Sequence, residues 1–324
     1  MLTITQHQKI IEDAIAKISY PPKPKDLYEP ISYIMSLGGK RIRPVLVLMA
    51  AELFGKNPYE AIDAAMAIEV FHNFTLVHDD IMDNAPLRRG QQTVHEKWST
   101  NTAILSGDVM MVEANKNLAK IDAKFLKDSL FTFNATAQGV CEGQQLDMDF
   151  ESRDDVSIEE YINMIRLKTA VLLGGALKLG AIIADAKPED AELIYQFGEN
   201  IGIAFQLHDD ILDVYADPEK FGKQVGGDII ANKKTFLLLK AFELAEGNDK
   251  TALKHWTQLQ QFDNKEKVAV VKSIYDNLGI QNIARKSMEY YKNKALNVFS
   301  KINVDDEAKA NLLVLTHQLM DREY

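Results

Sequence analysis

The sequence predicts an all-α protein, a helical bundle that forms a single domain over residues 1–324. Apolar residues recur at helical spacing, as at Ala61, Ala64, Ala65 and Ile68, whereas alternating strand-like patterns are scarce. Breaks rich in proline and glycine separate segments that are long enough for helices of several turns. No low-complexity linker divides these segments, so we expect them to pack around one core.

Six breaks mark where the predicted helices begin and end. Proline removes a hydrogen-bond donor and glycine adopts turn conformations easily, so clusters of the two interrupt a helix. In chain order the breaks are residues 20–24, 37–39, 54–58, 84–90, 187–188 and 217–227. The most apolar segment, residues 170–184, carries Lys178 and is too short to span a bilayer, which favours a buried core helix.

Composition and charge exclude several classes of protein. Hydrophobic residues at 46% and charged residues at 26% are typical of a folded globular chain. The net charge of −10 argues against a general nucleic-acid binder, because such a protein needs an electropositive face. The single cysteine, Cys141, excludes an intrachain disulfide, and residues 1–20 lack the apolar run of a signal peptide. We therefore expect a cytoplasmic protein without an integral membrane segment.

One short pattern occurs twice, at residues 77–83 (Val-His-Asp-Asp-Ile-Met-Asp) and 207–213 (Leu-His-Asp-Asp-Ile-Leu-Asp). In each copy the first and last aspartates share one helix face, about 5.4 Å from each other. Such carboxylates repel each other unless a cation binds, and Mg²⁺ prefers oxygen ligands that it shares with substrate phosphates. The candidate metal ligands are Asp79, Asp80, Asp83, Asp209 and Asp213.

The alternative interpretation of each cluster is a solvated acidic helix face. Two observations weaken it: the neighbours are apolar, among them Phe74, Ile81 and Leu212, and the same pattern recurs. A calcium EF-hand is excluded, because neither cluster has the required glycine at the sixth position and glutamate at the twelfth.

Basic side chains lie on both sides of the first cluster in the sequence. Arg88 and Arg89 follow it in a loop, and the planar fork of arginine suits phosphate. Lys40 and Arg43 lie at a predicted helix start, where unpaired backbone amides add to their charge. His72 lies two helical turns before the first aspartate. A lone histidine is more often structural, but here it is one of several candidate anion-binding side chains. Candidate donors near the second cluster are Lys168, Thr169, Gln206, Lys223 and Lys233.

Together these motifs resemble the trans-isoprenyl diphosphate synthases, the family of farnesyl and geranylgeranyl diphosphate synthases. The resemblance runs from Gly38 to about Thr235. Its motifs are Gly-Gly-Lys-Arg-Ile-Arg-Pro at 38–44, the first aspartate cluster with 88–90, Gly143-Gln144 with Asp147, Lys168-Thr169, Phe205-Gln206 before the second cluster, and 226–228 before Lys233. The resemblance implies the isoprenoid synthase fold, a helical bundle around a deep central cavity, and a homodimer.

The resemblance also implies a reaction, in which dimethylallyl, geranyl or farnesyl diphosphate ionises and isopentenyl diphosphate attacks the carbocation head-to-tail, in trans. Three Mg²⁺ ions would bind to the allylic diphosphate through Asp79, Asp83 and Asp209. Arg88, Lys168 and Lys233 would complete that cradle, Lys40, Arg43, His72 and Arg89 would hold isopentenyl diphosphate, and Thr169 and Gln206 would stabilise the cation.

Product length is predicted from Phe74 and Thr75, which lie five and four residues before Asp79. In the family this helix forms the cavity wall, so Phe74 resembles a floor that stops growth at about fifteen to twenty carbons, giving farnesyl or geranylgeranyl diphosphate. A plain core aromatic is the other interpretation. Residues 320–324 lack the basic tail of some relatives, so closure of the site is expected to be looser or differently made.

The sequence has three alternative functional interpretations. A class I terpene cyclase usually has a different second metal motif and needs no isopentenyl site, so Lys40, Arg43 and Arg89 argue against it. A non-catalytic prenyl-diphosphate-binding subunit tends to lose aspartates, whereas both clusters are complete. A longer-chain polyprenyl diphosphate synthase remains the alternative within the resemblance.

Overall fold

The computed structural model describes residues 2–217 and 225–320, and these fold almost entirely into helices. The predicted all-α class is therefore confirmed. The β structure in the described ranges is a two-residue hairpin, in which β1 (Leu87–Arg88) pairs antiparallel with β2 (Gln91–Gln92). Lys223, a predicted substrate-binding residue, lies outside the described residues.

In chain order the helices are α1 (Ile4–Ala16), α2 (Lys25–Ser36), α3 (Ile42–Leu53), α4 (Ile62–Met82), α5 (Val94–Lys97), α6 (Thr100–Leu118), α7 (Ala123–Glu151), α8 (Ile158–Ile165), α9 (Val171–Ile183), α10 (Pro188–Tyr215), α11 (Gly227–Ile230), α12 (Phe236–Leu244), α13 (Gly247–Gln258), α14 (Asn264–Asn277), α15 (Ile280–Phe299) and α16 (Asp306–Met320). A 3₁₀ turn, Pro58–Ala61, precedes α4, and a π-helical turn, Arg166–Ala170, joins α8 to α9. None of these helices is both long and apolar enough to cross a membrane, as judged over the described residues.

Polar caps determine where several helices begin. Thr3 accepts a hydrogen bond from the backbone of Gln6 and forms a reciprocal capping box with it at the start of α1. Ser157 and Glu160 form the same box at α8. Each box satisfies two backbone donors that the first helical turn leaves unpaired.

The chain divides into two compact units, each built from separate stretches of sequence. Unit 1 comprises Met1–Ala137, Gly175–Ile194 and Asn303–Leu312, and unit 2 comprises Gln138–Gly174, Tyr195–Ile302 and Leu313–Tyr324. The sequence predicted one domain over 1–324, and that remains a prediction.

In unit 1, α4 packs against α3 and α6. Residues 64–71 of α4 and 44–51 of α3 are buried without interruption, as expected for core helices. Gly180 permits a close approach, because a Cβ there would lie 2.2 Å from the backbone oxygen of Val47 in α3. This core holds the C-terminal end of α4, which carries the first aspartate cluster.

In unit 2, the second aspartate cluster lies near the C-terminal end of α10. Phe197 of α10 stacks on Phe299 of α15, with ring centroids 4.4 Å apart. Gly202 of α10 lies against the π-helical turn, since a Cβ there would be 2.5 Å from Cα of Ala170. The turn and the second cluster are thereby held on neighbouring elements.

Candidate active site

The aspartates of the first cluster differ in their surroundings. Asp79 is half-buried and Asp83 is exposed, and the two lie one helical turn apart at the end of α4. Asp80 is only 1% exposed. The first and last aspartates are therefore accessible to a ligand, whereas the middle one belongs to the protein interior.

Asp80 pairs with Arg88 of the hairpin. Nε of Arg88 donates to Oδ1 and Oδ2 at 3.0 and 2.9 Å, and Nη2 donates to Oδ1 at 2.7 Å. This fork geometry fixes the direction of the guanidinium group. Asp80 was also predicted as a metal ligand, and that role remains a prediction, since its buried carboxylate is held by Arg88.

Arg43 and His72 form a half-buried basic pair in unit 1. Nη1 of Arg43 donates to Nε2 of His72 at 3.2 Å, which leaves the histidine proton on Nδ1. Burial, followed by the charges of Arg43 and Arg89, holds the pKa of His72 well below its usual value. Nε of Arg43 is buried without a hydrogen-bond partner in the described structure. A site with this much unneutralised positive charge suits a polyanion.

Arg89 lies over the glycine pair that precedes α3. Its guanidinium donates to the backbone oxygen of Gly38, and a Cβ at Gly39 would lie 2.8 Å from its Cζ. Gly39 also has a φ of 129°, so a side chain there would be both strained and obstructed. The two glycines thus allow Arg89 to approach the loop that carries Lys40, whose side chain is exposed.

Arg41 was not predicted, yet it organises this loop. Its side chain forms a buried ion pair with Glu69 of α4 and donates to the backbone oxygen of Met35 at 2.6 Å. Asn73 donates to the same carboxylate at 2.9 Å. Arg41 adopts a left-handed backbone, with φ of 50°, directly before α3. The only sequence signal was its position between Lys40 and Arg43.

Phe74 and Thr75, the predicted chain-length residues, are half-buried on α4. The ring of Phe74 packs against Phe71 and His78, with centroid distances of 5.7 and 4.7 Å. The hydroxyl of Thr75 donates to the backbone oxygen of His72 at 2.8 Å. Phe74 therefore belongs to an aromatic cluster within unit 1.

In the second cluster, the middle aspartate is again the buried one. Asp210 is 4% exposed, whereas Asp209 and Asp213 are half-buried. The hydroxyl of Tyr161 donates to Asp210, and so does the backbone amide of Phe236 at 3.3 Å. Burial raises the pKa of Asp210 to about 8, although these hydrogen bonds oppose the shift.

Asp213 holds the start of α11. Its Oδ2 accepts a hydrogen bond from the backbone amide of Asp228 at 3.0 Å, and its backbone oxygen accepts one from Gly226 at 2.6 Å. A carboxylate at a helix start satisfies an unpaired donor. Asp213 thus links the second cluster to the segment that carries Asp228 and Lys233.

Lys168 lies in the π-helical turn and pairs with Asp147 of α7. Gly143 lets α7 reach this turn, because a Cβ there would be 2.1 Å from the backbone nitrogen of Lys168. Thr169 donates to Oε1 of Gln206 at 3.4 Å. A turn of this kind inside a helix is frequent at functional sites.

Unit 2 contains a cavity of about 210 Å³ that brings together four predicted residues, Lys168, Thr169, Gln206 and Lys233, whereas Asp209 and Asp213 are not part of its lining. The lining includes Lys168, Thr169, Gln206, Asp210, Asp228 and Lys233. With Asp147 and Lys234, which also line it, the cavity has three lysines and three carboxylic acids, together with hydroxyl groups and an amide.

The donor sets suit Mg²⁺, because they consist of carboxylate oxygens placed one helical turn apart. Within residues 2–217 and 225–320, no group of three His, Cys, Asp or Glu side chains is close enough to hold a metal ion alone. An ion bound there would therefore take part of its ligands from substrate phosphates and water.

Comparison with known proteins identifies the family. The family model of polyprenyl synthetases matches residues 24–278. The chain belongs to the polyprenyl synthetase family. It is 42% identical over 236 residues to a geranylgeranyl diphosphate synthase of Methanosarcina mazei, covering 72% of each chain. It is 35% identical to a geranylgeranyl pyrophosphate synthase of Geoglobus acetivorans, covering 99% of this chain and 98% of that one.

A solved structure of a geranylgeranyl pyrophosphate synthase superposes with a TM-score of 0.95 at 46% identity, covering 100% of both chains. This polyprenyl synthetase therefore has the isoprenoid synthase fold and is a trans-prenyltransferase. The family, fold and enzyme class predicted from the motifs are confirmed.

Proposed function

We propose that this polyprenyl synthetase condenses isopentenyl diphosphate with an allylic diphosphate, head-to-tail and in trans, and releases diphosphate. The observation that carries the proposal is the half-buried group of Arg43 and His72 with Arg89 nearby, a set of basic side chains that comes in addition to the two aspartate clusters. A reaction of two diphosphates needs a second anion site, whereas a cyclase acting on one diphosphate does not. We assign isopentenyl diphosphate to this group together with Lys40.

For the allylic diphosphate we propose Asp79, Asp83 and Asp209 as ligands of Mg²⁺, with three ions per site. The ions, when bound, supply Lewis-acid neutralisation of the departing diphosphate. Arg88, Lys168 and Lys233 would hold the diphosphate oxygens, with Asp80 orienting Arg88 and Asp147 orienting Lys168.

The polar groups of Thr169 and Gln206 would stabilise the carbocation through their dipoles. Since no protein nucleophile is needed, orientation of the two substrates accounts for much of the rate. The proton lost after attack would go to the released diphosphate.

Geranylgeranyl or farnesyl diphosphate is the product that we propose. The relatives cited above carry the name geranylgeranyl diphosphate or pyrophosphate synthase, and one relative of 34% identity is named a farnesyl diphosphate synthase. We further propose that the chain acts as a homodimer in the cytoplasm. Cys141 is the only cysteine of the sequence, so no intrachain disulfide can form, which agrees with a reducing compartment.

The test is incubation with isopentenyl diphosphate, labelled dimethylallyl, geranyl or farnesyl diphosphate, and Mg²⁺, followed by chromatography of the products. Condensation is expected, and excess EDTA should abolish it. Asp79→Ala and Asp209→Ala should abolish it too while leaving the helical circular dichroism intact, and Asp128→Ala, an exposed aspartate on α7, is the control. Full activity of either cluster variant would contradict the metal role.

Phe74→Ala should lengthen the product, because it removes the ring proposed as the floor. The same chromatography measures the chain length, and Phe131→Ala, which removes an exposed ring on α7, is the matched control. An unchanged product distribution would mean that Phe74 is a plain core aromatic.

A further inference from the structure

Lys267 lies on α14, away from every predicted motif, and its side chain is fully buried in unit 2. Nζ donates to the backbone oxygen of Ile230 at 3.1 Å and to Oδ1 of Asn232 at 2.7 Å. It also lies 4.1 Å from the ring centroid of Phe262. All three partners are neutral, and burial lowers the pKa of the ammonium group. A buried cation with neutral partners is unfavourable for folding, so its place in the structure requires another explanation.

Both hydrogen-bond acceptors of Lys267 belong to one short segment, residues 226–235. α11 forms the first part of this segment, and the carboxylate of Asp213 binds its first turn. Lys267 binds the carbonyl group at its last residue, Ile230. The two side chains thus satisfy a backbone donor and a backbone acceptor that a single helical turn leaves unpaired.

Asn232 connects this helix to Lys233. It has a left-handed backbone with φ of 54°, and its Nδ2 donates to the backbone oxygen of Thr257 at 3.1 Å. The next residue, Lys233, donates its backbone amide to the oxygen of Asp228 at 3.0 Å. By binding both Ile230 and Asn232, Lys267 fixes the chain direction immediately before Lys233.

We propose that Lys267 is a positioning residue, which holds residues 226–235 so that Asp228 and Lys233 line the cavity of unit 2 correctly. It touches no substrate itself. The proposal rests on the proposed function, in which Lys233 binds the allylic diphosphate. Loss of Lys267 should therefore weaken binding of the allylic diphosphate selectively and leave binding of isopentenyl diphosphate unchanged.

The first experiment compares Lys267→Met, which keeps the shape of the stem, with Lys267→Arg, which keeps a cationic donor. Lys267→Met should raise the KM for the allylic substrate about tenfold, the size expected for a lost hydrogen bond to a charged group, with the KM for isopentenyl diphosphate within about twofold. Lys267→Arg should restore part of the loss. Lys265→Met, an exposed lysine on the same helix, is the control and should behave as wild type. Unchanged constants in Lys267→Met, or equal rises in both KM values, would overturn the proposal.

A second measurement does not depend on turnover. Calorimetric titration with inorganic diphosphate and Mg²⁺ should show about tenfold weaker binding in Lys267→Met but not in Lys265→Met. Asn232→Gly removes the acceptor while permitting the positive φ, so it should reproduce part of the loss, and adding Lys267→Met to it should have less effect than in wild type. Additive losses would overturn the proposal. If the wild type fails to condense its substrates, the proposed function is wrong, and the titration still decides the role of Lys267.

Discussion

At the scale of single residues, the two aspartate clusters follow the same rule. In each, the middle aspartate is buried and hydrogen-bonded by the protein, whereas the outer two are at least partly accessible. The sequence predicted that the outer pair shares a helix face, because that follows from helical geometry. It did not predict the burial of Asp80 and Asp210. The surroundings of Asp210 depend on Tyr161 and Phe236, which are distant in sequence.

Asp80→Asn should weaken binding of the allylic diphosphate about tenfold, because an amide is neutral and has a single oxygen, so it cannot accept the hydrogen bonds that Arg88 donates to both carboxylate oxygens. Steady-state kinetics with the allylic substrate varied should show this rise in KM. In the background of Arg88→Gln, Asp80→Asn should add little, since the two residues act as one unit. Independent effects of the two substitutions would contradict this role.

His72 should remain neutral at mildly acidic pH, because burial and the neighbouring arginines lower its pKa well below about 6.5. As pH falls below that value, the unfolded chain binds a proton that the folded chain rejects, so stability should fall by up to about 1.4 kcal/mol per pH unit. Carbon-13 histidine NMR, with the signal assigned through His72→Gln, should show no titration of His72 near pH 6.5. Urea unfolding should show a smaller loss of stability on acidification in that variant. A midpoint at or above 6.5 would contradict the expectation.

At the scale of elements, periodicity predicted the helices, and the six breaks rich in proline and glycine coincide with six of the connections between them. The other connections were missed, among them those after α6 and α7, near residues 119–122 and 152–157, where neither region contains a cluster of proline and glycine. Ser157 and Glu160 carried the signal of a capping box there. The π-helical turn around Lys168 had no signal in its own sequence. It packs closely against Gly143 of α7 and Gly202 of α10, which are distant in sequence.

Gly143→Ala should destabilise the protein by about 1–3 kcal/mol, since its Cβ would clash with backbone that cannot move independently of the π-helical turn. Gly139→Ala is the matched control on the same helix. Its Cβ would lie 3.4 Å or more from its neighbours, which is ordinary contact. Thermal unfolding by circular dichroism should show a lower Tm for Gly143→Ala only. Equal stability of the two variants would mean that the turn adapts.

At the scale of the whole molecule, residues in contiguous motifs were predicted and the groups that support them were not. Lys40, Arg43, Lys168 and Lys233 follow from short patterns. Arg41 depends on Glu69, and Lys267 on residues 230–232, so these roles become visible only when distant segments pack. The homodimer was predicted from the resemblance alone. An exposed apolar surface on α6 of unit 1 offers a way to test it.

We expect a homodimer, and α6 shows why a partner surface would be favourable. Ile104, Leu105 and Val112 are 41%, 57% and 53% exposed, and they recur at helical spacing on one side of α6. An exposed apolar stripe of this kind typically marks an interaction surface.

Sedimentation equilibrium should therefore give twice the chain mass of 36.5 kDa. Leu105→Glu with Val112→Glu should shift the mass towards that of one chain, because like charges would be buried without partners. Tyr290→Lys, which changes an aromatic residue that is 61% exposed on α15, is the control and should leave the mass unchanged. A wild-type mass of one chain would contradict the dimer, and an unchanged mass in the double variant would place the interface elsewhere.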